Sequence, residues 1–584
     1  MNNFVKTTLA VVCGLILVWI LSAIIGIGLL GSLIAGSSGK PVLPKSGVLK
    51  IDMSKIVITE QSEDNFDFAS LATTGGDVST RNIGLWEALR ALDQAAKDPA
   101  VQFIYLKTDG NTTSLAALSE FRQGLCKFRK DGEKAIVSYV ENPGTGSYYL
   151  SSVADKIYMT PHTGANYMLN GISSSLMFYG DILKRLGINV QLIRHGKFKS
   201  AGETFTRGDI SPENREQMQV LVNSIWQTVA GEIAESRHIT TEALNETIDG
   251  LQLCLPQDFI DCGLADELLD RSALARKLAD LSGVDDYEDV DMIDFGDYLD
   301  AKETKSRRSK KIAVLYANGE IVDGSDGTQV AGDRFAALIE DIRQDEDVEA
   351  VVLRVNSPGG SVLASEKIRQ QIDLLEIPLI ASYGDYAASG GYWISSGCDK
   401  IYTDAVTLTG SIGVFSMIPE FSKLAQDKLH IGVESICSNK HGDMFSLMRP
   451  FDSAEQAALS RSIEEVYDRF TSLVAAKRPL SKEEVDNLGQ GRVWTGADAV
   501  ANGLADEIGT LEDAIRYAAA AAGDEDLSNW KIQAYPEPQT IAEQLLGQLG
   551  QGQEDDYSIL LGKYYKDIRS PQMLARMPYT LKFQ

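Results

Sequence analysis

The sequence is poor in the residues that bind metals and carry redox chemistry. Only six cysteines and five histidines occur among 584 residues, and no Cys-x-x-Cys pair is present. Zinc sites are built from such closely spaced ligands. The sequence therefore predicts neither a metal nor another cofactor. Cys254 and Cys262 lie close together in the chain, and both a disulfide between them and two free thiols remain open.

Positive charge is also scarce. The chain has 55 Lys and Arg residues against 82 Asp and Glu residues, which gives a net charge of −27 and an isoelectric point near 4.7. Nucleic acids and anionic membrane surfaces attract basic proteins, so neither is predicted as a partner. With 44 % hydrophobic and 23 % charged residues, the chain is typical of a globular protein with two or more domains.

Charged side chains are absent from residues 7–39, most of which are apolar. A helix of about 20 apolar residues spans a bilayer, whereas a cleaved signal peptide has an apolar core of only about 7–15 residues. We therefore expect a retained single-pass anchor over residues 7–35. Lys6 favours an amino end inside the cell, although Lys40 and Lys45 lie just beyond the anchor. The rest of the chain is then expected outside the cytoplasm, in the periplasm if the cell has an outer membrane.

Several segments occur twice at nearly constant separation, which indicates a duplicated domain. The matching segments are Gly-Leu-Ala-Asp-Glu at 263–267 and 503–507, Asp-Lys-Ile-Tyr at 155–158 and 399–402, and the apolar runs at 101–106 and 348–353.

Each copy alternates predicted strands with predicted helices. In the second copy we expect strands at 312–315, 351–355 and 379–382, and helices at 333–344 and 365–375. Such alternation predicts an α/β fold with parallel sheets and right-handed crossovers.

Composition shifts set the predicted domain boundaries. An acidic stretch at 285–300 is followed by a basic one at 302–311, which is typical of a linker. We expect the tail to begin with a loop and to end in a docked segment. The predicted organisation is an anchor at 7–35, a first α/β repeat at 45–284, a linker at 285–310, a second α/β repeat at 311–535 and a tail at 536–584.

The second copy carries a candidate nucleophile. Its apolar strand at 351–355 leads into Pro-Gly-Gly, a turn whose free backbone N–H groups suit an oxyanion. Ser389 follows between small residues, as expected of a serine that attacks an acyl group. The first copy has Thr145 opposite Ser389 and lacks the Pro-Gly-Gly turn. Because both copies must fold, a loss from one copy alone indicates a catalytic role.

The first copy carries a candidate base. Lys199 lies where the second copy has Gly442, so Lys199 and Ser389 are predicted to form one Ser-Lys dyad. A buried lysine with a lowered pKa serves as a base in such a dyad. The alternative is a surface lysine in a basic turn. A histidine base, as in Clp-type proteases, would have to be His441 or His195.

With these motifs the chain resembles the long, duplicated form of the signal peptide peptidase A family. Members of this family are membrane-anchored bacterial serine proteases of the Ser-Lys type. The nucleophile motif, small-Ser-Gly-Gly-Tyr, falls on Ser389, and the base motif, Gly-x-aromatic-Lys-Ser, falls on Lys199 rather than on Lys197. The resemblance implies that Ser411 orients the lysine. The oxyanion donors are expected to be the backbone N–H groups of Gly360 and Gly390.

The resemblance also implies a fold similar to Clp protease and crotonase, here as two tandem α/β repeats behind a transmembrane helix. It implies a homotetramer at the outer face of the bacterial inner membrane. There the enzyme would degrade apolar signal-peptide fragments that remain in the membrane after secretion.

Two other functions share parts of the pattern. A crotonase-like acyl-transfer enzyme has the fold and the oxyanion turn, but needs neither a nucleophilic serine nor an anchor. A non-enzymatic, membrane-tethered scaffold has no reason to keep Ser389 in one copy and Lys199 in the other. We expect one site per chain, formed where the copies meet. Both groups should come from the same chain, because the linker holds the two halves side by side.

Overall fold

The computed structural model describes residues 40–62, 80–164, 169–302, 308–325, 327, 329–538 and 573–577. Within these ranges, no helix has both the length and the apolar character needed to cross a membrane. The predicted anchor at residues 7–35 lies outside the described residues and stays a prediction. Most of the predicted tail at 536–584 also lies outside them.

The first copy contains both strands and helices in the residues that the structure describes. Its strands are β1 (Gly47–Asp52), β2 (Ile56–Thr59), β3 (Arg81–Gly84), β4 (Val101–Lys107), β5 (Ile136–Val140), β6 (Lys156–Met159), β7 (Asn189–His195), β8 (Glu267–Leu268) and β9 (Met292–Asp294). Its helices are α1 (Leu85–Lys97), α2 (Leu115–Gly132), α3 (Thr145–Ser151), α4 (Gly180–Leu186), α5 (Glu203–Thr206), α6 (Pro212–Arg237), α7 (Thr241–Asp249), α8 (Pro256–Asp261), α9 (Arg271–Ser282) and α10 (Phe295–Lys302).

The second copy follows the same plan. Its strands are β10 (Lys311–Asn318), β11 (Ile321–Val322), β12 (Val330–Ala331), β13 (Val348–Ser357), β14 (Gly359–Ser361), β15 (Leu379–Ala388), β16 (Lys400–Thr403), β17 (Leu408–Gly410), β18 (Val414–Glu420), β19 (Val493–Thr495), β20 (Glu507–Ile508), β21 (Lys531–Tyr535) and β22 (Leu574–Arg576). Its helices are α11 (Gly332–Gln344), α12 (Val362–Ile372), α13 (Gly390–Ser395), α14 (Ser453–Lys477), α15 (Lys482–Leu488), α16 (Gly496–Ala501) and α17 (Leu511–Ala521).

The main sheets of the two copies have the same strand order. The first copy has the order β8-β6-β5-β4-β1-β9, and the second contains the series β20-β16-β15-β13-β10-β21, to which β17 and β19 are added as a branch at β15. Every neighbouring pair in these two series is parallel. The α/β class with parallel sheets is therefore confirmed, and so is the duplication of the sheet.

The predicted elements of the second copy lie within or beside the observed ones. The predicted strands at 312–315, 351–355 and 379–382 fall inside β10, β13 and β15. Helix α12 begins three residues earlier than predicted, because the Ser361 hydroxyl accepts a hydrogen bond from the Ala364 N–H and caps the helix at Val362.

Part of the predicted linker at 285–310 belongs to the first copy. β9 adds to the edge of the first sheet by pairing with β1, and α10 follows it directly. Tyr298 of α10 is fully buried, and its hydroxyl donates to Asp98. The described part of the first copy therefore extends to Lys302. Cys254 and Cys262 are both free thiols in this fold.

A third sheet joins the two copies. Its order is β12-β11-β14-β22-β18-β7, so β7 of the first copy forms an edge beside strands of the second. β18 pairs antiparallel with β7 along its whole length. This shared sheet carries residues of the first copy into the second and positions the site described below.

A buried arginine also ties the copies together. Arg354 on β13 donates to both carboxylates of the first copy that face it, Glu60 at 2.6 Å and Glu120 at 2.6 Å. It also donates to the Ser382 hydroxyl and the Tyr383 carbonyl on β15. Each of the three charged side chains is at most 5 % exposed. Buried charges persist when they are paired and hydrogen-bonded, and this guanidinium meets that condition.

Candidate active site

Ser389 lies in a sharp turn between β15 and α13. Its backbone angles are φ 58° and ψ −111°, a combination that a residue with a side chain rarely adopts. Packing leaves little room in this turn, since a Cβ on Gly391 would lie 2.7 Å from the Ser357 carbonyl oxygen. The strand, the turn and the glycines that follow therefore fix the direction of the Ser389 hydroxyl.

Ser411 lies beside Ser389 because the strands that precede the two serines are paired. At its carboxyl end β15 pairs with β17 of the same sheet, and Ala388 lies opposite Gly410. The Ser389 N–H donates to the Gly410 carbonyl at 2.8 Å. Ser411 follows directly with φ 50°, and its N–H donates to the Arg492 carbonyl at 2.7 Å.

Lys199 reaches this pair of serines from the first copy. β7 ends at His195, opposite Val414, and Val414 lies three residues after Ser411. The chain then turns, and the Phe198 N–H donates to the Gln490 carbonyl at 3.0 Å. Gly491 has φ 76°, and a Cβ there would lie 2.5 Å from the Lys199 Cβ, so only glycine fits beside the lysine.

Ser389 and Ser411 both contact the amine of Lys199. Lys199 Nζ lies 2.8 Å from Ser389 Oγ, 3.0 Å from Ser411 Oγ and 3.1 Å from the Ser411 carbonyl oxygen. All three residues are 0 % exposed. Two of the three contacts come from Ser411, which therefore fixes the position of the amine against Ser389.

Burial lowers the pKa of Lys199 well below its ordinary value. Among the described residues, no carboxylate forms an ion pair with the amine that would oppose this effect. A neutral amine accepts a proton, and an ammonium ion does not. The site thus favours the form of Lys199 that a base needs.

The glycine turn lies on the other side of Ser389. Ser357 at the end of β13 pairs with Ala387, two residues before Ser389. Gly360 is packed tightly, since a Cβ there would lie 1.9 Å from the Ile321 carbonyl oxygen. A Cβ on Gly390 would lie 3.1 Å from the Gly360 nitrogen, so the two predicted oxyanion glycines are neighbours.

The carboxyl-terminal strand β22 lies against this turn, a position that sequence reasoning missed. β22 pairs antiparallel with β14, so that Ala575 is opposite Gly360, and it also contacts β18. The Met577 N–H donates to the Pro358 carbonyl at 2.7 Å. A docked end of the tail was expected, but the local pattern of three residues carries no signal for its place.

The rival bases lie elsewhere. The His195 ring stacks on Tyr467 with a centroid distance of 3.7 Å, and its Nδ1 lies 2.8 Å from a Glu464 carboxylate oxygen. Lys197 is exposed and lies over the Phe198 ring. In the first copy, the Thr145 hydroxyl donates to the Gly171 carbonyl at 3.0 Å.

His441 belongs to a surface cluster with Asp452 and Glu455, whose ligand atoms lie within 4.8 Å of one another. Arg449 donates to Glu455 at 2.7 Å and already neutralises that carboxylate. His441 Nδ1 lies 2.9 Å from the same group. The cluster is therefore satisfied by its own ion pairs and carries neither a base for Ser389 nor a proposed metal site.

Both copies match one known protein family. Residues 127–285 and 374–524 each match the profile of Peptidase family S49. The chain is 32 % identical to "Protease 4" of Haemophilus influenzae over 515 residues, which are 84 % of this chain and 82 % of the relative. It is also 32 % identical to "Protease 4" of Salmonella typhi over 546 residues, or 91 % of this chain and 86 % of the relative. "Serine protease SPPA, chloroplastic" of Arabidopsis thaliana is 29 % identical over 440 residues, 73 % of this chain and 64 % of that protein.

Proposed function

Because the chain belongs to peptidase family S49 and is a serine protease, we propose that it cleaves peptides with a dyad of Ser389 and Lys199. The observation that carries the proposal is the distance of 2.8 Å between Ser389 Oγ and the buried Lys199 Nζ. The first family match contains Lys199 and the second contains Ser389, so the proposed site needs both copies.

The proposed reaction proceeds through an acyl-enzyme. Neutral Lys199 takes the proton of Ser389 Oγ as the oxygen attacks the peptide carbonyl. The backbone N–H groups of Gly360 and Gly390 stabilise the oxyanion of the tetrahedral intermediate. The lysine ammonium, held by the two oxygens of Ser411, then gives its proton to the leaving amine. Finally Lys199 deprotonates a water molecule that hydrolyses the ester.

The proposed substrates are apolar signal-peptide fragments that remain in the membrane after secretion. A relative named "Putative signal peptide peptidase SppA" from Enterococcus faecium is 36 % identical over 215 residues, 35 % of this chain. The predicted anchor would hold the catalytic repeats at the outer face of the inner membrane, where such fragments lie. In this role the protein would cut short, extended peptides and spare folded proteins, because a buried site admits only an unfolded chain. A homotetramer is part of the same proposal.

Membership in a peptidase family argues against both alternatives, the crotonase-like acyl-transfer enzyme and the non-enzymatic scaffold. Neither of them needs a lysine from one copy to contact a serine of the other. The same contact supports a site whose two groups come from a single chain.

An acylating probe on the detergent-solubilised full chain tests the proposal. We expect the probe to label Ser389 and to abolish cleavage of a signal-peptide fragment. Ser389→Ala should remove both the label and the cleavage, while Thr145→Ala, the matched change in the first copy, should remove neither. Peptide cleavage by pure Ser389→Ala at the wild-type rate would overturn the assignment.

A further inference from the structure

Residues 489–492, which we name the bridging loop, hydrogen-bond to both copies beside the proposed dyad. The Gln490 carbonyl accepts from the Phe198 N–H at 3.0 Å, and Phe198 directly precedes the lysine base. The Gly491 N–H donates to the Ile412 carbonyl at 2.7 Å, and Ile412 directly follows the serine that holds the lysine amine. The bridging loop therefore connects the two backbone segments that carry the base and the serine beside it.

The bridging loop is packed tightly against the lysine. A Cβ on Gly413 would lie 2.7 Å from the Gly491 Cα and 3.2 Å from the Lys199 Cδ. A Cβ on Gly196, in the turn that follows β7, would collide with the Gln490 carbonyl. Interiors packed this closely transmit strain to their neighbours. A shift of the bridging loop would therefore move the lysine amine or admit water beside it.

Two helices outside the site hold the bridging loop. Gln490 has φ 56°, which is uncommon for a residue with a side chain, so its conformation depends on outside contacts. Its N–H donates to the Tyr467 hydroxyl of α14 at 3.2 Å, and its Nε2 donates to Asp486 Oδ1 of α15 at 2.8 Å. The Tyr467 hydroxyl donates to the same carboxylate oxygen at 2.6 Å. One hydroxyl thus accepts from the loop and is itself fixed by Asp486.

Tyr467 also packs on the strand that leads to the lysine. Its residue is 5 % exposed, and its ring stacks on His195 at the end of β7. The ring therefore contacts the first copy, while the hydroxyl holds the bridging loop of the second. A change that removes the hydroxyl and keeps the ring separates these two roles.

The first copy has a different pair at the corresponding places. The shift along the chain that relates the arginines at the carboxyl ends of α6 and α14 places Trp226 opposite Tyr467 and Asn245 opposite Asp486. The Trp226 indole N–H donates to Asn245 Oδ1 at 2.8 Å, so both copies bond the two helices to each other. An indole N–H is a donor only, whereas a tyrosine hydroxyl also accepts. The group that can accept from a loop N–H thus lies in the copy whose loop contacts the lysine.

We propose that Tyr467 is a positioning residue of the dyad, whose hydroxyl acts through the bridging loop to fix the Lys199 amine against Ser389. The inference rests on the proposed function of this dyad. In the part of the chain that the structure describes, Tyr467 forms no hydrogen bond with either member of the dyad. Its effect on the rate must therefore pass through the loop.

The surroundings of the lysine determine how this effect is measured. The Arg194 guanidinium donates to the Lys199 carbonyl at 2.7 Å and pairs with Glu203. Arg492 of the bridging loop lies over the Phe198 ring. These charged groups lie along the backbone of the lysine turn, and burial is what lowers the pKa of the amine. A loosened loop that admits water would raise this pKa toward its ordinary value.

The pH dependence of Ser389 labelling by an acylating probe tests the inference on the detergent-solubilised full chain. Tyr467→Phe keeps the ring on His195 and removes the hydroxyl. The labelling rate at neutral pH should fall by about 10- to 100-fold, the cost of a small misplacement of a reacting group. The rise of the rate with pH should move to higher pH. In peptide cleavage the loss should appear in kcat and leave KM nearly unchanged, since the change acts on the dyad.

Two changes at Asp486 give an independent pair of variants. Asp486→Ala removes the acceptor of both the Tyr467 hydroxyl and the Gln490 side chain, so it should move the pH dependence in the same direction as Tyr467→Phe. Asp486→Asn should retain most of the wild-type rate, because the amide oxygen still accepts, as that of Asn245 does in the first copy.

Tyr139→Phe is the matched control. The Tyr139 hydroxyl is buried in the first copy and donates to the Leu269 carbonyl at 3.2 Å, so its loss should leave the labelling rate and its pH dependence unchanged. The inference is overturned if Tyr467→Phe behaves like the wild type, if Tyr139→Phe causes an equal loss, or if Asp486→Asn is as slow as Asp486→Ala. A wild-type chain that the probe does not label at Ser389 would overturn the proposed dyad itself, and this inference with it.

Discussion

Lys199 is the one basic side chain that contacts Ser389 in the described structure, and its chemistry depends on losing a proton. Lys199→Ala and Lys199→Arg should both lower kcat/KM by about 100- to 10,000-fold, the usual contribution of a general base. Arginine fails because a guanidinium keeps its proton at working pH. Lys197→Ala is the matched control and should retain activity, since Lys197 is exposed. Cleavage of an apolar peptide measures all three variants, and an inactive Lys197→Ala with an active Lys199→Ala would reverse the assignment.

Burial of Lys199 also predicts two effects of pH. Because the pKa of Lys199 is lowered in the folded chain, the rate should rise with pH as the amine loses its proton. The unfolded lysine has a pKa of about 10.4 and binds a proton that the folded one has released. The free energy of unfolding should therefore increase as the pH rises from the pKa of the folded state to that of the unfolded state.

Lys199→Met isolates the stability effect. The variant should unfold at a higher temperature than the wild type at neutral pH, because the unfavourable burial of the amine is gone. The difference should shrink as pH rises toward the ordinary lysine pKa. Thermal unfolding across a pH series measures it, and a difference that grows with pH would contradict the assigned direction.

At the scale of elements, Arg354 fastens β13 and β15 of the second copy to the first copy. Arg354→Met leaves Glu60 and Glu120 buried without their cation, so it should lower the free energy of unfolding by about 3–5 kcal/mol. Arg343→Met removes an exposed pair with Glu340 within α11 and should change stability by less than about 1 kcal/mol. Urea unfolding of both variants checks the contrast, and equal effects would show that the buried cluster has no special role.

The main sheets were predictable and the third sheet was not. Runs such as 351–355 are apolar throughout, and their alternation with helical stretches indicates a parallel sheet without knowledge of distant contacts. β7 pairs with β18, which lies more than two hundred residues away. β22 has only three residues. Neither pairing can be predicted from the local sequence. The pairing of β9 with β1, within the predicted linker, could not be predicted for the same reason.

At the scale of the whole molecule, the contact between Lys199 and Ser389 lies within one chain. Co-assembled Ser389→Ala and Lys199→Ala chains should therefore show only the background activity of the separate variants, because no chain holds both groups. Differently tagged chains purified through both tags provide the sample. Wild-type chains mixed with Ser389→Ala should retain activity in proportion to the wild type. Recovery in the first mixture would show that the dyad crosses between chains.

Much of the site could be predicted by comparing the two copies in the sequence. Ser389 opposite Thr145, and Lys199 opposite Gly442, identified both members of the contact from the sequence. Their approach to 2.8 Å depends on the shared sheet, which no local pattern encodes. The strained turn at Ser389 could not be predicted either, since its neighbours Ala388 and Gly390 are compatible with many backbone conformations.

That turn bears on how the two copies have diverged. Ser389 holds φ 58° ahead of α13, whereas in the first copy Gly144 has φ −86° and Thr145 begins α3 as an ordinary helical residue. A residue held in such a region costs about 1–3 kcal/mol, so Ser389→Gly should raise the melting temperature above that of Ser389→Ala while both stay inactive. Of the two copies, therefore, the one that carries Ser389 holds its turn in the strained region, and the turn that carries Thr145 is relaxed.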